Sequence, residues 1–95
     1  MSIDALDSRR KRLLYRSRYR GFLESDILFR RFAEGMLPRL TATQLDRYEA
    51  LLEESDHDLY AWIVGHRPAP ARHDHDVMAL LRQVGGTDAQ GPGQG

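Results

Sequence analysis

Apolar residues in this chain recur three and four positions apart, segment after segment, and nowhere alternate with the two-residue period of a strand. That periodicity is the tightest constraint on the fold. The chain has 95 residues and no cysteine, so neither a disulfide frame nor a thiolate metal site can supplement its core. One small domain must hold together by packing helix faces.

Five helical segments follow from the spacing and its interruptions. The first runs from about Ile3 or Asp4 to Tyr19, with Leu6, Leu13 and Leu14 as apolar positions. Gly21 is placed just past its end, at the position where glycine takes a left-handed conformation. The second begins near Glu24–Asp26 and stops before Pro38, with Phe29, Phe32 and Met36 on one stripe; Gly35 weakens its last turn. Thr41 and Gln44 form a capping box that opens the third, whose inner face is Leu45, Tyr48, Leu51 and Leu52. The fourth starts at Asp56, carries Leu59, Trp62 and Ile63, and ends at Gly65. Pro68 and Pro70 stiffen the next connection. The fifth is capped by Asp74 or Asp76, buries Val77, Leu80, Leu81 and Val84, and ends at Gly85-Gly86. The expected architecture is all-α, a compact bundle of five short amphipathic helices over residues 1–86, with Trp62 near its centre and a disordered tail over 87–95.

The formal charge is zero, but its distribution is uneven. Residues 1–20 hold seven basic residues against two acids, and the remainder holds seven against twelve. Arg9, Arg12, Arg16 and Arg20 are spaced to form one cationic stripe on the first helix. With Tyr15 and Tyr19 interleaved, the stripe suits nucleic-acid phosphates, an acidic protein partner, or simple solvation. Overall neutrality argues against nucleic acid, because dedicated binders are usually basic as whole domains. No apolar run approaches the about 20 residues needed to cross a bilayer. The basic first residues carry Asp4 and Asp7 and no apolar stretch, unlike signal and transit peptides. A bacterial cytoplasmic protein, without membrane insertion and monomeric, is the expectation.

Catalytic chemistry finds little to stand on. No serine sits in a strand–turn–helix elbow, and no glycine-rich loop offers a phosphate cradle. His73 and His75 lie two apart, on different faces of a helix, whereas helical zinc pairs need four. His57 and His66 read as isolated surface residues. The remaining candidate is the corner Arg20-Gly21-Phe22-Leu23-Glu24. There a cation, a bare backbone and a carboxylate come together in a way that suits docking better than stability, since an exposed Arg–Glu pair contributes only ~0–1 kcal/mol.

Arg20-Gly21-x-x-Glu24 resembles the RGxxE motif of the succinate dehydrogenase assembly factors. The preceding RRKRLLYRSRYRG and following SDILFRRF are similar to that family's first two helices. LTATQLDRYEALLEESDHDLYAWI resembles its next two, so the resemblance spans about residues 9–83. His57 departs from the family's Asp-Pro-Asp, where proline favours a first helical position. The resemblance implies a five-helix bundle that is not an enzyme. It implies a chaperone that binds the flavoprotein subunit of succinate dehydrogenase, and in some members of fumarate reductase. It promotes covalent attachment of FAD there, without holding the cofactor stably itself. It also implies partner-binding roles for Arg20, Gly21 and Glu24, with Asp26 and Arg16 beside them. An antitoxin-like regulatory interaction module is the alternative.

Overall fold

A computed structural model describes residues 7–18 and 20–90, with side chains described as far as Gly85. Five α-helices make up the described chain: α1 (Ser8–Arg18), α2 (Leu23–Met36), α3 (Ala42–Leu52), α4 (Asp56–Val64) and α5 (Asp76–Gln90). Short 3-10 turns at Leu37–Arg39 and Ala71–His73 lead into α3 and α5. The all-α, five-helix expectation therefore holds. The expected first turn before Asp7, and residues 91–95 of the expected tail, lie outside the described residues.

The helix starts follow local chemistry. Asp7 Oδ1 accepts the Arg10 backbone N–H at 2.8 Å, which caps α1. Thr41 and Gln44 exchange the two bonds of the capping box, at 2.9 and 3.2 Å. Ser55 accepts the Asp58 N–H at 3.2 Å and opens α4. Gly65 closes α4 in the left-handed region at φ 88°, as its position in the sequence suggested.

α5 differs from expectation at both ends. Its cap is His75, whose Nδ1 accepts the Met78 N–H at 3.2 Å; Asp76 instead turns toward Gln44 and Arg47 of α3, at 3.0 and 2.8 Å. The helix also runs through Gly85-Gly86 instead of stopping there. Tertiary packing is the reason. A Cβ on Gly85 would lie 2.5 Å from Leu28 Cδ1 and 2.7 Å from Ile63 Cγ2. Glycine at this position leaves the room that the Leu28 and Ile63 side chains fill where α5 packs on α2 and α4.

The core is drawn from all five helices and is centred on Phe29, Phe32 and Tyr48, all fully buried. The Tyr48 ring lies 5.2 Å from Phe32 and 6.5 Å from Phe29. Its hydroxyl donates to Ser17 Oγ at 2.6 Å, because Ser17 has given its own proton to the Leu13 carbonyl at 2.6 Å. Burial pushes the Tyr48 phenol far above its ordinary range, so it stays neutral. Trp62 is buried but peripheral: at 7% it is the most exposed member of the core, and its ring leans on His73 at 5.8 Å.

Polar clamps tie the helices together. Arg10 reaches from α1 to the carbonyls of Leu37 (2.7 Å) and Leu40, holding the 3-10 turn after α2. His73 is buried, with Nε2 2.6 Å from Glu54 Oε2, and Arg72 reaches the same oxygen at 2.9 Å. This clasp fastens the proline-rich connection to the turn between α3 and α4. It also separates the roles of the two histidines, since His73 is a strut and His75 is a cap. Among the described residues, no three acidic or histidine side chains gather as a metal would require.

Two predictions follow from packing and charge. Gly85→Ala should destabilise the protein by about 1–3 kcal/mol, the usual effect of overpacking. Gly35→Ala, where nothing lies within 4 Å, should stabilise by about 0.5–1 kcal/mol. Thermal melts of the two variants should therefore shift in opposite directions. The second prediction concerns Glu54, whose carboxyl is held below its ordinary 4.5 by its bond to His73 and then by Arg72. A carboxyl with a depressed pKa stabilises the fold above its unfolded value, and that contribution is lost as pH falls through the folded value. The melting gap between wild type and Glu54→Gln should be present at neutral pH and close in the acid range below 4.5. A gap of constant size across that range would show that the charge of Glu54 is not its source.

Candidate docking site

The turn between α1 and α2 is held by one side chain. Arg20 reaches under the turn and is only 9% exposed; its Nε donates to Asp56 Oδ1 at 2.6 Å. Its Nη2 donates to the Leu52 carbonyl at 3.1 Å, with the Glu54 carbonyl at 3.5 Å. Leu52 O is one of the carbonyls that the end of α3 leaves without an intrahelical partner. The guanidinium thus lies between the electronegative end of α3 and a carboxylate in the first turn of α4, favourable in both directions. The Phe29 ring supports it, 5.6 Å away. The backbone N–H of Arg20 donates to Asp26 Oδ1 at 2.6 Å, so the first turn of α2 also holds the turn.

This arrangement corrects two expectations. Arg20 is not an exposed partner of Glu24 but a largely buried brace with its own carboxylate, Asp56. Gly21 is not in the left-handed region, which among the described residues only Gly65 occupies. Its requirement is steric, because a Cβ at Gly21 would stand 2.6 Å from Asp56 Oδ2. The carboxylate that grips Arg20 needs that space.

Beyond the brace, the start of α2 faces outward. Phe22 precedes α2 in an extended conformation, and its ring stacks on His57 at 4.8 Å with 15° between planes. Tyr60 meets the same ring edge-on at 5.3 Å. Leu23 and Ile27, one helical turn apart, are 67% and 38% exposed. Glu24 lies between them, exposed, and pairs with no described residue. A carboxylate that pairs with no described residue thus stands beside two exposed aliphatic side chains, on a turn locked from beneath. Among the described residues this corner brings together no nucleophile–base pair.

Arg16 lies elsewhere. It bonds Glu53 at 2.6 Å and lies 3.9 Å from Glu49. Arg9 joins Asp46 and Glu49 at 2.6 and 2.9 Å. The acids of α3 and its C-terminal end therefore engage Arg9 and Arg16 of the α1 stripe. Of the sequence-derived candidates, the structure gathers Arg20, Gly21, Glu24 and Asp26 at one corner and leaves Arg16 on the α1–α3 seam. It adds Asp56, Phe22, Leu23, Ile27 and His57. Asp56 is 36 residues from Arg20, and no local pattern links them. His57, read as an isolated surface residue, belongs to the aromatic edge of the corner.

The chain matches the model of the family described as flavinator of succinate dehydrogenase over residues 11–85. It is 42% identical over 82 residues to succinate dehydrogenase assembly factor 2, mitochondrial, of Danio rerio, covering 84% of this chain and 52% of that protein. It is 40% identical over 84 residues to the protein of the same name from Lodderomyces elongisporus, covering 84% and 51%. Assembly factor 2-A, mitochondrial, of Drosophila mojavensis is 39% identical over 82 residues, with 84% and 52% covered. The chain spans about half the length of these relatives. The expectation of a bacterial cytoplasmic protein is overturned here, because the relatives are named mitochondrial. Since the matched span is only half of each relative, the composition of residues 1–20 is no measure of compartment. With about four-fifths of its length and the whole corner around Arg20, Glu24 and Asp56 inside the matched region, this chain belongs to the flavinator of succinate dehydrogenase family.

Proposed function

We propose that this chain is an assembly factor that docks on the flavoprotein subunit of succinate dehydrogenase and promotes covalent attachment of FAD to it. The observation that carries this reading is the corner around Glu24: an exposed carboxylate that pairs with no described residue and two exposed aliphatic side chains, on a turn braced by Arg20, in a chain of the flavinator family. Glu24, Leu23 and Ile27 are the contact residues. Gly21 and Asp26 shape the turn, and Arg16 flanks it from the α1–α3 seam.

The chain acts by binding, not as an enzyme. Its corner holds no group placed to take part in bond formation, and FAD is its partner's cargo, not a cofactor of its own. Docking favours a conformation of the flavoprotein in which the flavin and the acceptor side chain are aligned. It can help only to the extent that the chain binds that conformation more tightly than others. Alignment of reacting groups removes a large entropic part of a bond-forming barrier. The flavoprotein of fumarate reductase is a second partner for the same assay.

Flavin fluorescence of the flavoprotein on a denaturing gel, after co-expression with and without this chain, tests the proposal, because denaturation strips FAD that is not covalently bound. The band should strengthen with wild type. With Glu24→Ala it should fall about tenfold, the loss typical of a central contact residue, while the melting temperature is unchanged. Arg20→Ala should lower both, because it leaves the partly buried Asp56 carboxylate without its cation, at a cost of about 1–3 kcal/mol. Equal bands in every lane, with the flavoprotein expressed and FAD in excess, would overturn the reading.

A further inference from the structure

Asp56 is the residue on which the corner converges. One of its oxygens takes the Arg20 guanidinium at 2.6 Å, and the other occupies the space that a Cβ on Gly21 would need, at 2.6 Å. The carboxylate is only 18% exposed, so a partner has little access to it. It is also adjacent in the chain to His57, whose ring carries the Phe22 stack. One carboxylate therefore fixes the α1–α2 turn from below by charge, from the side by contact, and through its neighbour by an aromatic ring.

We infer that Asp56 is a positioning residue for docking: it sets the α1–α2 turn so that Phe22 seats on His57 and Tyr60 while Leu23, Glu24 and Ile27 project to the partner. The docking surface accordingly spans two elements distant in sequence, the start of α2 and the start of α4. The inference rests on the function proposed above. It explains why arginine and glycine are adjacent in this turn. Arginine supplies the cation that draws the carboxylate in, and glycine leaves the room that the carboxylate then fills. Side chains of α2 and α4 and the Leu52 carbonyl at the end of α3 meet around Arg20, so a shift of the Asp56 carboxylate is passed to the turn.

Two measurements test it. The first uses the chain alone. The Phe22 ring, 4.8 Å from the His57 ring, should give the His57 imidazole protons a ring-current shift in the NMR spectrum. That shift should be lost in Asp56→Ala and reduced in Asp56→Asn, the milder variant that keeps an acceptor for Arg20. The second measures the affinity for the purified flavoprotein subunit at a temperature where circular dichroism shows every variant folded. Asp56→Ala should weaken binding about tenfold. Glu24→Gln should then cost clearly less in the Asp56→Ala background than in wild type, because its carboxylate is already displaced. Gly21→Ala combined with Asp56→Ala should bind no worse than the weaker single variant. A purely structural role for Asp56 would leave the cost of Glu24→Gln the same in both backgrounds and would overturn the inference, as would an unchanged His57 shift in a folded Asp56→Ala. Failure of the wild-type chain to bind the flavoprotein would overturn the function proposed above, and the His57 shift would still decide whether Asp56 positions the turn.

Discussion

Arg20 carries its charge into the protein, and the arrangement of the corner depends on how that charge is met. A guanidinium removed from water needs both a counter-ion and hydrogen-bond acceptors, or its desolvation outweighs what it contributes. Here Asp56 supplies the counter-ion, the end of α3 supplies the Leu52 carbonyl, and Phe29 supplies a ring face. Those groups come from α2, α3 and α4, so the residue just after α1 fixes how all four helices meet. Gly21 and Asp26 belong to the same solution: one makes room for the Asp56 carboxylate, and the other holds the Arg20 backbone N–H. What faces outward, Glu24 with Leu23 and Ile27, faces outward because its neighbours are bound beneath it.

The same economy governs the rest of the charge. A sequence divided between a basic first quarter and an acidic remainder folds so that the two parts meet along the α1–α3 seam. Arg9 and Arg16 pair with Asp46 and Glu49 of the facing helix and with Glu53 at its end. Exposed pairs of this kind contribute little stability individually. Their effect is on recognition, since arginines already opposed by carboxylates present a weaker field to a phosphate backbone. The tyrosine and arginine interleaving that made nucleic acid a candidate partner loses much of its support for that reason.

Much of the fold was legible because its signals are local. The capping box at Thr41, the stop at Gly65 and the inner face of α3 each depend on residues within four positions of one another, and each is found where the spacing predicts. The errors share a different cause. Gly21 and Gly85 look alike in sequence, as glycines that end helices, yet neither does so for the expected reason. Gly21 yields space to Asp56, and Gly85 to Leu28 and Ile63, all distant in the chain. His75 took the cap assigned to its aspartate neighbours because Asp76 was drawn to α3. Trp62 gave up the centre of the core to Tyr48, whose hydroxyl found a buried partner in Ser17.

By itself, the sequence determined that this chain is helical, where most of its helices begin, which faces they bury, and that the turn after α1 carries its distinctive residues. These are consequences of hydrogen bonding and side-chain periodicity within a few residues, and they need no knowledge of how the chain folds back on itself. Only the tertiary structure decided which letters of that turn face inward. Arg20 and Glu24 are both charged residues within three positions of Gly21, and nothing local distinguishes which of them turns inward. Folding does so by placing Asp56 under the turn, because a largely buried cation must be matched by a carboxylate, whereas the exposed Glu24 carboxylate, which pairs with no described residue, faces water.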